Sequence, residues 1–304
     1  MTAWRLSLLV LVWVMLTAAV APVRIDAAPA KGPSTSGDQL AAANVPLPTR
    51  VPSWNSPELE RVIRSALSGS RGTYGVAVKN LLTGERALYN AEEQIEAASL
   101  YKLPVLYEAF RQERLGAFDF DEKLTVSEHA ATGYEDGEPT WPAGTEVLAR
   151  VVVKRMIVYS DNTAAHVLLE RLGVSQINRT ARSLGLTQTE IWYGERTSAL
   201  DIAELLQVLA TGAAFDELAS RQMLQLLLEQ VLADRIPRYL PDGVRVANKT
   251  GELPGVRHDA GIVYAPNGPY VIVALAADLP DEQEGTETIA ELSRQVYRYF
   301  HRRT

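Results

Sequence analysis

The 304-residue chain has no cysteine. That absence excludes disulfides, zinc–thiolate and iron–sulfur centres, a thiol nucleophile and a lipid anchor on an N-terminal cysteine. It leaves the compartment open, because export does not require cysteine. Histidine is nearly as scarce: His129, His166, His258 and His301, with no HExxH pair and no metal-ligand spacing. No metal and no other cofactor is therefore expected, and nothing marks one of the four as the base of a Ser-His-Asp triad. No basic block occurs. Lys+Arg total 30 against 37 Asp+Glu, a net charge of −7, so the cationic surface that nucleic acid needs is missing. Glycine signatures are absent too. There is no GxSxG elbow and no GxGxxG after a strand, and Lys249-Thr250 lacks the preceding glycine loop of a phosphate cradle.

A long uncharged, apolar run stands near the start of the chain. It follows Arg5 and extends from Leu6 to Ala21, short of the roughly 20 residues that span a bilayer comfortably. A basic start, a short apolar core and the small residues Ala28-Pro29-Ala30 read as a secretory signal cut after Ala30. Membrane attachment is expected only if that segment stays uncleaved. Either way the folded part lies outside the cytoplasm. Residues 31–54 are rich in Pro, Ser, Gly and Ala without periodicity and read as a disordered tether.

The remaining 55–304 are expected to form one domain. Ser56-Pro57 is an N-cap followed by a first-turn proline, opening a helix. Residues 74–90 read as two strands joined at Thr83-Gly84. A helix is expected from Ser99 to about Leu115. Helical spacing then dominates, over 146–159, 163–173, 177–185, 200–212 and 218–230, the last with a leucine stripe read as core. Strands are expected at 244–250, 258–265 and 269–278, and a closing helix at 286–300. Strands at both ends around a block of helices give an α+β fold. Its antiparallel sheet draws on 55–98 and 243–304, flanked by helices, with a helical lobe over about 99–242.

Three short strings carry the chemistry: Ser99-Leu100-Tyr101-Lys102, Ser160-Asp161-Asn162 and Lys249-Thr250-Gly251. Each alone is weak. Among the six lysines, however, only Lys102 has a serine three residues before it. A serine hydroxyl needs a base within hydrogen-bond reach, and positions i and i+3 share a helix face. Lysine is a base only when neutral; burial and a second cation both favour that form. Lys249 is the candidate second cation, and Ser160 a proton relay between the two amines. The backbone N–H of Ser99, at a helix start, is a candidate oxyanion donor.

The order and context of the strings resemble the class A β-lactamases and the related penicillin-recognising peptidases. The likeness extends over about 55–304 and includes ASLYKLPVLYEAF and YSDNTAAHVLLERLG. It implies that fold, a serine hydrolase working through an acyl-enzyme, and catalytic roles for Ser99, Lys102, Ser160 and Lys249. It also implies that the Glu252 backbone N–H is the second oxyanion donor and that Asn162 binds the substrate's amide side chain. Thr250 joins Lys249 in holding its carboxylate, and Gly251 lets the substrate approach; a strand bulge is the plainer reading of that glycine. The implied partner is a β-lactam or a D-Ala-D-Ala peptidoglycan stem peptide, and a monomer is expected.

The chain departs from that family in one loop. Class A β-lactamases carry a long segment whose glutamate activates the deacylating water. Here only TQTEIWYGER, 187–196, is available, without a Glu-x-x-Leu-Asn string. Glu190 and Glu195 are its carboxylates. A solvated loop charge is the plain reading of both, with Glu195 the candidate deacylating base. A missing base predicts a persistent penicillin adduct and a penicillin-binding D,D-peptidase. The alternatives are a β-lactamase that turns over β-lactam antibiotics, and a non-catalytic β-lactam or cell-wall binding module. Trp141-Pro142 and Tyr134-Glu135-Asp136 fall where the family's site rim runs, though ordinary loop packing explains them. Asn178 and Asn248 begin Asn-x-Thr strings of doubtful use, since a sugar on Asn248 would crowd the site.

Overall fold

The structure, a computed structural model, describes residues 52–132, 139–191, 195–215 and 217–302. The expected signal, most of the tether, Tyr134-Glu135-Asp136 and Trp192-Tyr193-Gly194 lie outside the described residues.

In chain order the elements are β1 (Trp54–Asn55), α1 (Pro57–Ala66), β2 (Thr73–Asn80), β3 (Glu85–Tyr89) and β4 (Ile95–Glu96). A 3₁₀ turn (Ala98–Tyr101) runs straight into α2 (Lys102–Arg114), followed by β5 (Lys123–Thr125), α3 (Glu128–Thr132), β6 (Glu146–Leu148), α4 (Ala149–Val158), α5 (Asn162–Leu172) and α6 (Val174–Ser183). Then come β7 (Arg196–Thr197), α7 (Ala199–Ala210), α8 (Glu217–Leu228), β8 (Arg245–Leu253), β9 (Val256–Ala265), β10 (Gly268–Ala277) and α9 (Glu282–His301).

The main sheet has the order β1-β3-β2-β10-β9-β8. All its pairings are antiparallel except β1 with β3, so the sheet is mixed rather than purely antiparallel. The exception is local: two residues of the incoming chain lie along β3 before Ser56 turns the backbone into α1. Ser56 caps that helix by accepting from the Leu59 N–H at 3.2 Å, and Pro57 costs nothing where the amide has no partner anyway.

Strand alternation divides the apolar residues between two cores. On β10, Tyr270, Ile272, Ala274 and Ala276 meet Leu59 and Ile63 of α1 and Ile289, Leu292 and Val296 of α9. Val271, Val273 and Leu275 point the other way and join the helical lobe. β10 is thus apolar and buried on both faces, the layer between the two cores. α2 is buried nearly all round, from Lys102 to Phe110, and forms the axis of the lobe.

Several boundaries shift by two to four residues from the sequence pattern, and two of the shifts have a visible cause. Residues 146–148 form β6 against β5 rather than the first turn of α4. Helix α9 starts at Glu282, capped by Asp281, whose side chain accepts from the Gln283 and Glu284 amides. Among the described residues no helix is long and apolar enough to cross a membrane.

Candidate active site

The turn before Ser99 is held under strain. Ala98 has φ 43°, the left-handed region, at a cost of roughly 1–2 kcal/mol for a residue with a Cβ. Its neighbours pin it. The Ala97 N–H donates to the Glu195 carbonyl at 2.6 Å, and the Leu100 N–H to the Ala97 carbonyl at 3.0 Å. His258 contacts the Glu96 carbonyl through Nε2 at 2.7 Å, while its Nδ1 accepts from the Ala276 N–H at 3.1 Å. The Nδ1 contact fixes the tautomer, so Nε2 is the donor. Burial holds this imidazole down at about 4, hence neutral.

Ser160 is the second left-handed residue, φ 57°, between α4 and α5. Asp161 fixes that turn. It caps α5 by accepting from the Ala164 N–H at 2.9 Å, and it also accepts from Arg155 Nε at 2.8 Å and Thr140 Oγ1 at 2.5 Å. The twist turns the Ser160 carbonyl toward Lys102.

Lys102 and Lys249 are both fully buried. Lys102 Nζ lies 3.1 Å from Ser99 Oγ and 3.3 Å from Ser160 Oγ, and 2.6 Å from both the Ser160 carbonyl and Asn162 Oδ1. The last two atoms only accept, so the two short bonds take two hydrogens. On a neutral amine the remaining direction, toward the hydroxyls, carries the lone pair. Lys249 Nζ donates to Ser160 Oγ at 2.8 Å and to the Thr250 carbonyl at 2.8 Å. Ser160 Oγ thus stands between two amines. Burial pulls Lys102 from 10.5 to about 7, against the opposing charges of Asp161 and Glu195. Burial, then the positive charge of Lys102, holds Lys249 well below its usual range.

The residues of all three strings therefore converge on one point, as the sequence pattern predicts. Gly251 differs from its bulge reading: it sits in regular register opposite His258. A Cβ there would come within 3.2 Å of Ala98 Cβ and 3.3 Å of the His258 side chain. The glycine lets β8 press against the nucleophile turn. Asn248 is buried and donates to Asp259 Oδ1 at 3.0 Å, which disposes of it as a sugar acceptor. Trp141 lies under Arg155, in line with loop packing.

The short loop is anchored at several points. Glu190 and Arg196 exchange backbone hydrogen bonds of 2.8 and 2.9 Å, an isolated antiparallel bridge. The Asn178 amide donates to and accepts from the Ile191 backbone, both at 2.9 Å. Asp201 accepts from the Gln188 N–H and Thr189 Oγ1, both at 2.8 Å. Beyond that bridge β7 pairs with β4, which leads to Ser99. Glu190 is exposed, but Glu195 is not the solvated charge that the sequence suggests. It is half-buried, and burial raises its carboxyl to about 7, with Lys102 opposing and Glu96 adding to the rise.

Two residues escaped sequence reasoning. Arg235, 1% exposed, lies beside the KTG strand; its Nη1 donates to the His258 carbonyl at 3.2 Å, and its charge lowers Lys249. His258 is the other. The only signal in the sequence was the position of His258 opposite KTG once the hairpin register is drawn; for Arg235 there was none.

Comparison with known proteins agrees with this geometry. A model of the β-lactamase enzyme family matches residues 58–300. The extended-spectrum β-lactamase PER-1 of Pseudomonas aeruginosa is 25% identical over 275 residues, covering 81% of this chain and 89% of its own. The structure of PBP-A superposes with a TM-score of 0.79 at 28% identity, covering 84% of this chain and all of that one. A point mutant of PBP-A, an acyl-enzyme complex with penicillin G, gives 0.78 at 27% identity, covering 83% and 99%.

Proposed function

The chain belongs to the β-lactamase enzyme family, as a class A-like serine hydrolase, and from that premise we propose that it is an extracytoplasmic, penicillin-binding D,D-peptidase that deacylates slowly. The observation that carries this reading is the shortness of the segment 187–196, its Glu190 and Arg196 already bridged through the backbone, where the family's water-activating glutamate is expected. Its export rests on the N-terminal pattern of Arg5, the apolar run to Ala21 and the small residues at Ala28–Ala30.

In the proposed reaction neutral Lys102 takes the proton of Ser99 as its Oγ attacks the carbonyl next to the substrate's carboxylate. The oxyanion is met by the backbone N–H groups of Ser99 and Glu252. The proton passes through Ser160 to the leaving nitrogen. Burial holds Lys102 neutral, and Lys249, with Thr250, faces the substrate carboxylate. Asn162 binds the substrate amide, and Gly251 keeps β8 close against the Ser99 turn. Water then hydrolyses the ester.

A second reading, turnover of β-lactams as a β-lactamase, is favoured by one observation: half-buried Glu195 is bound through its carbonyl to Ala97, two residues before Ser99, which brings a carboxylate-bearing residue next to the nucleophile turn. Both readings act on β-lactams; they differ in the life of the adduct. The peptidase reading is tested by incubating the protein with a D-Ala-D-Ala stem peptide and measuring free D-alanine. Release that is lost in Ser99→Ala supports it. No release, alongside rapid β-lactam turnover, overturns it in favour of the β-lactamase.

A further inference from the structure

The last turn of α4 carries an aromatic stack beside Ser160. Its central group is Arg155, whose guanidinium lies 5.5 Å from the centre of the Trp141 ring and 5.3 Å from that of Tyr159. Arg155 Nε donates to Asp161 Oδ2 at 2.8 Å, and the same oxygen accepts from Thr140 Oγ1, next to Trp141. Asp161 is the residue that caps α5 and fixes the Ser160 turn. The Tyr159 ring is therefore tied to that turn twice, through the backbone and through Arg155 and Asp161. Trp141 and Arg155 are partly covered, whereas Tyr159 is 51% exposed. A ring already held in place loses little rotamer freedom when a ligand settles on it.

A second exposed apolar side chain stands nearby. Val231 is 55% exposed, and its N–H donates to the Val158 carbonyl at 3.3 Å. Gln230 Nε2 donates to the Ile157 carbonyl at 3.0 Å. These bonds fasten the connection between α8 and β8 onto the end of α4. The same connection meets β8, where Asn248 Nδ2 donates to the Leu232 carbonyl at 3.5 Å. Asn248 precedes Lys249, and Lys249 Nζ donates to Ser160 Oγ at 2.8 Å. Tyr159 and Val231 thus belong to the two segments that flank the bond between Ser160 and Lys249. In the proposed reaction Ser160 hands its proton to the leaving nitrogen, so the departing half of the substrate lies at this end of the site.

We propose that Tyr159, with Val231 beside it, is a specificity-determining residue for the leaving group: it favours substrates whose departing amine carries an aromatic or apolar substituent. This role rests on the reading of Ser160 as the relay to the leaving nitrogen. The ring acts by contact alone and takes no part in proton transfer.

The test uses two cephalosporins with the same acylamino side chain, one with methyl and one with styryl at C3, on the full-length protein. With protein in excess, loss of the lactam absorbance gives the second-order constant of each, whether or not the adduct persists. Dividing each by the compound's rate constant with hydroxide removes intrinsic reactivity. The parent should favour the styryl compound by about fivefold to tenfold, the worth of one aromatic contact. Tyr159→Ala should bring the ratio near unity with the methyl compound unchanged, Tyr159→Phe should keep it, and Val231→Ser should lower it part of the way. A ratio near unity in the parent overturns the proposal. So does a ratio that survives in Tyr159→Ala while both constants fall together, which would mean that the ring merely supports the Ser160 turn. If neither compound is opened by the parent, or both are opened equally by Ser99→Ala, the reading of the reaction fails and the proposal with it, an outcome distinct from a changed or unchanged ratio.

Discussion

Lys102→Met separates what the site does from what it costs. Burial brings the Lys102 amine from 10.5 to about 7. At 1.36 kcal/mol per pKa unit that displacement is a cost of about 5 kcal/mol at pH below 7. The sign follows from linkage. The unfolded chain holds this proton up to about pH 10.4 and the folded chain releases it near 7, so the unfolded state binds more protons between those values. The penalty is therefore complete below 7 and fades as pH rises toward 10. Methionine fills a similar volume without the charge, but it strands the Ser160 carbonyl and Asn162 Oδ1, at about 1–2 kcal/mol each. The net expectation at pH 7 is a gain of about 1–3 kcal/mol in stability, shrinking by pH 9 to 10. Acylation should fall by about 10²–10⁴, the worth of a general base. Stopped-flow labelling with a fluorescent penicillin and thermal melts at pH 6, 7 and 9 read both. Labelling at the parent rate, or a lower melting temperature that ignores pH, would refute the reasoning. In the parent, acylation should climb tenfold per pH unit up to about 7 and level off above it.

Gly251→Ala places a methyl 3.2 Å from Ala98 Cβ; because Ala98 is already strained, we expect a loss of about 1–3 kcal/mol of stability and a larger fractional loss of acylation, read by melting temperature and labelling rate. Glu195→Gln should lengthen the life of the penicillin adduct by at least about tenfold with acylation little changed. In the parent, hydrolysis of the adduct should rise with pH through about 7 as the Glu195 carboxyl ionises, and the Gln variant should lose that dependence, both followed by mass spectrometry.

The long elements were legible because their periods are strong. β10 is a continuous apolar run bounded by turn residues, and α7 and α9 carry apolar residues every three to four positions. The three strings were legible because a reaction that needs an amine beside a hydroxyl restricts residue type and spacing. What escaped the sequence is tertiary. Two-residue strands such as β1, β4 and β7 have no period. Nothing local distinguishes Arg235, buried beside Lys249, from the exposed Arg238 three residues on, and the left-handed turns at Ala98 and Ser160 lack the glycine that usually marks them. Glu195 looked like a loop charge because its burial depends on β7 pairing with β4.

The account's central claim is that Ser99 acylates readily and that the short loop delays release. A chromogenic β-lactam in modest excess over the protein tests it directly. The account predicts a burst of product near one equivalent, then a nearly flat trace, with neither phase in Ser99→Ala. Continuous turnover of the excess without a burst would contradict it, as would a burst that survives in Ser99→Ala.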